Sequence, residues 1–262
     1  MWRNWHTRST QNAMTARSCG FKSHHAHKMP KAKLPAKSFK WTSDLAYIVG
    51  LLVTDGCLSN DGRHIIMRSS DIDLLSTFKK CLKLGNKIGK TNNGKIISHR
   101  VQFGNVQFYR WLLTIGLTPA KSHTIGVIKI PDKFFKDFLR GHLDGDGSII
   151  VYKDLNNKYR GRTYSNNRLY VRFISASKTH ILWLRQKIKK LASVDGALVV
   201  SKPILENRAP IWEIKLAKKE SLKILKWVYY KSDLPSLKRK KIKATKAIEM
   251  IAKEKRRTYT RI

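Results

Sequence analysis

Two stretches of this chain, Leu45-Ala46-Tyr47-Ile48-Val49-Gly50-Leu51-Leu52-Val53-Thr54-Asp55-Gly56 and Phe138-Leu139-Arg140-Gly141-His142-Leu143-Asp144-Gly145-Asp146-Gly147, carry one pattern twice. Each is an apolar run with a glycine in its middle. Each closes on Asp-Gly and enters β-rich sequence, Cys57-Leu58-Ser59 in one and Ser148-Ile149-Ile150-Val151 in the other. The middle glycine precedes the final acid by five residues in both copies. One Asp-Gly after a helix is ordinarily a cap and a turn, because Gly takes the left-handed conformation and Asp tolerates the bend. The same frame twice, each copy opening a repeat, asks for a further reason. A calcium loop is not that reason. Asp144, Asp146 and Ser148 stand at loop positions 1, 3 and 5, but Ile149 and Leu155 stand where Gly and Glu are required.

The glycines suggest the geometry. Gly in mid-helix costs about 1 kcal/mol against Ala, and it makes sense where two helices must approach closely. If the two motif helices pack together, their C-terminal ends lie side by side, and Asp55 and Asp146 converge. Like charges there oppose each other and the helix dipoles. A divalent cation relieves the repulsion, and carboxylates with bridging phosphates suit Mg²⁺. Such a cluster activates water and stabilises the leaving oxygen in phosphodiester cleavage.

Working outward, Thr42, Ser43 and Asp44 can cap a helix beginning near Leu45. Strands are expected near Cys57–Ser59 and Arg63–Ser69 around the turn Asn60-Asp61-Gly62, then a helix over Asp71–Leu84. Strands at 87–90 and 95–103 flank Asn92-Asn93-Gly94, and a helix over Val106–Ile115 stops at Gly116 and Pro119. The order then recurs. A helix over Asp132–Leu143 precedes strands at Ser148–Lys153 and Arg168–Ser175, joined by a polar loop Asp154–Asn167. A helix over Lys178–Leu191, strands at 197–202 and 211–216, and a helix over Lys219–Tyr229 complete it. The fold class is therefore mixed α/β, with two αββαββα halves related as in a homodimer. The expected organisation is a basic, mobile extension over 1–40, an N-terminal half over 41–125, a C-terminal half over 126–236 and a basic helical tail over 237–262.

The chain has 262 residues, 42% of them apolar, with 54 Lys and Arg against 17 Asp and Glu, a net charge of +37. A polyanion is the natural partner for such a chain, and counterion release makes its binding salt-dependent. An anionic membrane fits less well, because the basic residues are spread along the chain rather than gathered on one amphipathic helix. No apolar run reaches the roughly 20 residues of a membrane span. A chromatin-like basic protein is excluded by the apolar content and the repeat. Three cysteines make no disulfide framework, so reduced, intracellular surroundings are expected. Cys19 lies near His24, His25 and His27, but zinc needs a second ligand pair, and none is visible. The acid-free N-terminus, bearing Arg and Ser, is compatible with an organellar presequence. An organelle matrix or a prokaryotic cytoplasm is the expected compartment.

The paired motifs resemble the LAGLIDADG homing endonucleases in their single-chain, two-motif form. The second copy follows the pattern closely. The first keeps the Gly and the final Asp-Gly but has Val53 where an acid is common. The resemblance spans about Trp41 to Lys240 and includes Tyr229-Tyr230, Leu234-Pro235 and Leu237-Lys238-Arg239-Lys240. It implies a monomeric, Mg²⁺-dependent, sequence-specific double-strand DNA endonuclease that leaves short 3′ overhangs. Mn²⁺ would substitute, and Ca²⁺ would support binding without cleavage. The acids before the last glycines, Asp55 and Asp146, would bind metal with the backbone carbonyls of Thr54 and Gly145. Each half would form an antiparallel saddle seated in the major groove, with the motif helices between the halves. A supporting lysine falls at Lys219, with Lys218 as its neighbour, while the first half has Val106 in that place. Ser70 and Ser177 are further candidates for positioning water. The family also holds RNA-binding intron maturases and DNA-binding relatives that do not cut, so intron RNA is an alternative partner. The absence of a Cys or Ser start and of a His-Asn ending favours free-standing or intron-encoded expression over an intein.

On a strand, alternate side chains share a face. Arg168, Tyr170 and Arg172 form a polar row, with Leu169, Val171 and Phe173 behind it. Arginine reads guanine edges bidentately, or only holds phosphates. Arg63, Arg68, Arg100 and Gln102 are the corresponding candidates in the first half. Lys158, Arg160 and Arg162 are expected on a loop reaching along the duplex. Trp111, Trp183 and Trp227 lie on helices and read as core.

Overall fold

A computed structural model of the chain describes residues 39–92, 97–159, 162–201 and 209–259. The basic stretch 1–38, with Cys19 and its neighbouring histidines, lies outside the described residues, as do Asn93-Gly94 and Arg160. The first run of elements is α1 (Ser43–Thr54), β1 (Gly56–Leu58), β2 (His64–Ser69), α2 (Ile72–Leu82), β3 (Gly89–Asn92), β4 (Ile97–Gly104) and α3 (Val106–Thr114). After a 3-10 turn at Asp132–Phe134 the run recurs. It comprises α4 (Phe135–Asp144), β5 (Ser148–Tyr159), β6 (Arg162–Ser175), α5 (Lys178–Ala192), β7 (Ala197–Ser201), β8 (Ile211–Leu216) and α6 (Lys218–Val228). A last helix, α7, covers Lys238–Tyr259. Both sheets are antiparallel and share one strand order, β1-β2-β4-β3 and β5-β6-β8-β7.

The start of α1 follows from its cap, where Thr42 Oγ1 accepts the Leu45 N–H at 3.1 Å. Every residue from Ala46 to Val53 is buried. A helix apolar on all sides is stable only when enclosed, and α4 lies against this one. The contact is reciprocal. A Cβ at Gly50 would stand 2.2 Å from the Phe138 carbonyl oxygen, and one at Gly141 would stand 2.1 Å from the Tyr47 carbonyl oxygen. Two surfaces that each offer the same residue to the other meet as in a two-fold dimer.

The inner faces of the sheets complete the core. Ile65, Met67, Val101 and Phe103 are buried in the first, and Leu169, Val171, Phe173, Ile214 and Leu216 in the second. Trp111 and Trp183 are buried with them. One expectation is corrected. Residues 154–167 are not a polar loop: β5 and β6 continue pairing outward to Tyr159↔Arg162, with a register shift between Asp154 and Asn157. Of the cysteines among the described residues, Cys81 is a free thiol packed against the core.

Two histidines are enclosed behind the second sheet. His142 and His180 stack with ring centroids 5.4 Å apart and an interplanar angle of 14°. Burial holds His142 well below the usual range and lowers His180 to about 4. The unfolded chain therefore takes up these protons near pH 6.5 while the folded chain refuses them, so stability falls as pH drops from about 6.5 toward 4. Thermal melts of His180→Phe should lose part of this slope, on the order of 1 kcal/mol per pH unit. An unchanged slope would mean that the pair does not govern acid stability.

Candidate metal centre and nucleic-acid face

The close packing of α1 on α4 brings the two Asp-Gly ends together. The Gly145 backbone lies directly against the first motif, so that a Cβ there would fall 1.9 Å from Thr54 Oγ1 and 2.8 Å from Asp55 Oδ2. Thr54 Oγ1 donates to the Leu51 carbonyl at 3.0 Å, which holds the last turn of α1. Asp55 and Asp146 are half-buried in the crevice so formed. Burial raises the Asp55 carboxyl, and the facing Asp146 raises it further, while Lys240, Lys121 and the Thr54 hydroxyl draw it back. Burial likewise raises Asp146, opposed by Lys240 and Lys121.

These two lysines were not anticipated from the sequence. Lys121, in the segment after α3, donates from Nζ to the Gly56 carbonyl. Lys240, in the first turn of α7, donates from Nζ to the carbonyls of Leu143, Asp144, Gly145 and Gly147, at 2.7–2.8 Å. Each ammonium thus sits at the C-terminal end of one motif helix, where the dipole favours a cation. Burial lowers both to about 8, against the pull of the acids. Lys219, expected as the supporting lysine, is not among the cations that act on Asp55 and Asp146. It is exposed in the first turn of α6, and Lys240 and Lys121 are the cations acting on the acids. Val106 likewise opens α3 with an exposed side chain. Ser177 caps α5 through the His180 N–H and donates to the Ile125 carbonyl.

The third acid, Asp144, is spent on structure. It is buried and accepts from the Tyr47 hydroxyl at 2.9 Å, the Tyr229 hydroxyl at 2.9 Å and the Leu237 N–H at 2.7 Å. Its place in the first motif is filled by buried Val53. Among the described residues no cluster of three or more His, Cys, Asp or Glu side chains is arranged for a metal. Two carboxylates held together against their own repulsion nevertheless fit a hard divalent cation that keeps water or phosphate oxygens as its other ligands. Asp55, Asp146 and the Thr54 and Gly145 carbonyls are the groups that would hold it.

The sheets turn their outer faces away from the helices. In the first, Arg68 pairs with Arg100 and Ile66 with Gln102, so Arg68, Arg100 and Gln102 share the outer face, with Arg63 exposed just before β2. In the second, Arg168, Tyr170 and Arg172 alternate with buried Leu169, Val171 and Phe173, as expected. Arg168 is ion-paired to Asp154 at 3.0 Å and Arg172 to Glu213 at 3.3 Å. Lys215 Nζ lies 4.8 Å from the centre of the Tyr170 ring. Lys158 and Arg162 fall on the projecting β5–β6 ribbon.

The backbone can now be compared with known ones. It superimposes on meganuclease I-SmaMI bound to uncleaveable DNA with a TM-score of 0.53 and 15% identity, over 84% of this chain and 93% of that one. The I-LtrWI LAGLIDADG homing endonuclease bound to target DNA gives 0.52 and 14%, over 80% and 91%. The fold is that of the LAGLIDADG homing endonucleases. Full-length DUF199/WhiA from Thermatoga maritima shares it, with a TM-score of 0.50 and 14% identity over 81% of this chain and 60% of that one. In sequence, the chain is 25% identical over 132 residues to the uncharacterized protein MJ0314 of Methanocaldococcus jannaschii. That match takes in 48% of the chain and 49% of the relative, so the chain spans about half the length of the curated relative it matches. No protein-family model matches. No helix among the described residues is long and apolar enough to cross a membrane.

Proposed function

We propose that this LAGLIDADG-fold chain is a divalent-metal-dependent endonuclease that binds a long double-stranded DNA site and cuts both strands, leaving short 3′ overhangs, as a monomer. The observation that carries the reading is the convergence of Asp55 and Asp146 at one crevice, against their mutual repulsion. A chain that only bound DNA would have no use for that arrangement. Asp55 and Asp146 would hold the cation, with Thr54 and Gly145 giving carbonyl oxygens, while Lys121 and Lys240 fix the two helix ends in register. Mg²⁺, when bound, would supply activation of water and stabilisation of the leaving oxygen. The outer faces of the sheets, bearing Arg68, Arg100, Arg168 and Arg172, would take the duplex. The DNA-bound state of I-SmaMI and I-LtrWI supports this use of the same fold.

One observation favours a second reading, a DNA-binding protein that does not cut. Lys240 already occupies the Gly145 carbonyl and supplies the acids with a counter-charge of its own. Selection from a randomised DNA library separates the two. Cleaved sites should be enriched with Mg²⁺ or Mn²⁺, and bound but intact sites with Ca²⁺. Enrichment of bound DNA with no cleaved site under any of these ions would establish the non-cutting reading. Competition by structured RNA but not by DNA would point instead to a maturase.

A further inference from the structure

Set on their last motif glycines, Gly56 and Gly147, the two outer sheet faces share one frame. The next residues, Cys57 and Ser148, pair with Ile66 and Arg172, which are therefore equivalent. Across the following strand, Ile66 meets Gln102 and Arg172 meets Lys215. Two residues further along β2 and β6, Arg68 meets Arg100 and Ile174 meets Glu213. This second place lies nearer the acids, since the Arg68 N–H donates to the Asp55 carbonyl at 3.3 Å. Both faces thus carry one cross-strand pair of cations, but in exchanged order. In the first half the pair is the inner one, Arg68 with Arg100. In the second half the inner place holds Ile174 and Glu213, and the cations, Arg172 and Lys215, stand one outward-facing residue further out.

Like charges facing each other across a sheet destabilise it. Arg68 Nε and Arg172 Nε are each buried with no hydrogen-bond partner among the described residues, which adds the cost of an unmet donor. A phosphate relieves both, because it brings negative charge and several acceptor oxygens that suit a guanidinium. A base edge brings acceptors but no charge. The inner place of the second sheet cannot serve in the same way. Glu213 stands where the first sheet has Arg100, and a carboxylate repels phosphate. Its Oε1 lies 3.3 Å from Arg172 Nε, an ion pair without the alignment of a hydrogen bond. Lys215 is the cation beside it that keeps charge to spare.

Taking duplex DNA as the partner proposed above, we infer that the two halves hold its backbone out of register. The first sheet seats a phosphate between Arg68 and Arg100, next to the acids, and the second seats one between Arg172 and Lys215, one outward-facing residue further away. Two residues of antiparallel strand span about 7 Å, and phosphates follow each other at about 3.4 Å along the axis of one strand. The grip in the second half therefore falls about two nucleotides further from the acids than the grip in the first.

Phosphate-ethylation interference on a selected site, held intact with Ca²⁺, tests the offset. Arg68→Gln with Arg100→Gln should lower the slope of log K against log salt by about 1, near 0.9 per phosphate, and abolish the response to one phosphate. Lys215→Gln, which leaves Arg172 with Glu213, should abolish the response to a phosphate in the other half, about two nucleotides further from the Mg²⁺-dependent cuts. Adding Gln102→Lys to the Arg68/Arg100 variant places a cation at the outer position of the first sheet. It should restore a response about two nucleotides outward of the lost one, which also shows that the variant is folded. Equal distances in the two halves, or a response restored at the original phosphate, would overturn the offset alone. Enrichment of no DNA by the unsubstituted protein would overturn DNA recognition itself.

Discussion

Asp55→Asn or Asp146→Asn should lower double-strand cleavage by about 10³-fold or more while leaving DNA binding within a few-fold of the unsubstituted protein. The magnitude follows from several kcal/mol of transition-state stabilisation lost with a metal ligand. Binding is spared because the cations on the outer sheet faces stay in place. The same substitutions should affect stability in the opposite direction. Asp55 is raised by burial first and by Asp146 second, so its ionised form is less favourable in the fold than in the open chain. A neutral amide removes that penalty, and both variants should melt higher than the unsubstituted protein in a chelator. Added Mg²⁺ stabilises whichever form binds it, so the advantage should shrink or reverse. Supercoiled-plasmid cleavage, gel shifts with Ca²⁺ and paired melts with and without Mg²⁺ read all three effects. Full cleavage by either variant would refute the paired-carboxylate centre.

The acids were legible in the sequence because the motif is local. Gly50 and Gly141 announce a close approach, and the five-residue step to Asp55 and Asp146 places both acids at the helix ends. The alternation around Tyr170 was legible too, because one face of β6 is enclosed and the other is not. Lys121 and Lys240 were not. They act on the acids from segments remote in the chain, and a protein with 54 Lys and Arg offers no compositional signal for two of them. One local sign exists: each follows by a few residues a proline in the segment beyond its half's last helix, Pro119 and Pro235. Lys219 looked better placed because it opens a helix beside the second sheet, but that helix turns Ser221 inward, toward the Val171 N–H, and leaves Lys219 in solvent. The role of Asp144 was hidden for a different reason. It reads as part of the acidic motif, and only the arrival of Tyr47, Tyr229 and the Leu237 N–H shows that its oxygens are already taken.

The largest loss of stability is expected at the glycines of the crossing. Gly50→Ala gains about 1 kcal/mol of intrinsic helix propensity, so in an exposed helix it would stabilise. Here the new methyl would lie 2.2 Å from the Phe138 carbonyl oxygen and 2.8 Å from the His142 nitrogen, both backbone atoms. No rotamer change relieves that contact, and α1 must move away from α4. Overpacking a well-filled core costs about 1–3 kcal/mol where side chains can yield, and a forced backbone shift exceeds that range. We expect a net loss of more than about 3 kcal/mol, read as a lower urea midpoint. Gly141→Ala should behave alike, its methyl meeting the Tyr47 carbonyl oxygen at 2.1 Å. The double variant is the sharper test. Both methyls clash across one interface, so once the first has parted the helices the second costs less, and the sum should fall short of additive. Parting the helices also draws Gly145 off Thr54 and Asp55, so cleavage should fall in proportion to the shift. Gly85→Ala, whose Cβ would meet nothing within 4 Å, serves as the control and should leave stability within about 0.5 kcal/mol. Strict additivity, or a Gly50→Ala protein as stable as the control, would mean that the two motif helices do not cross where these glycines meet.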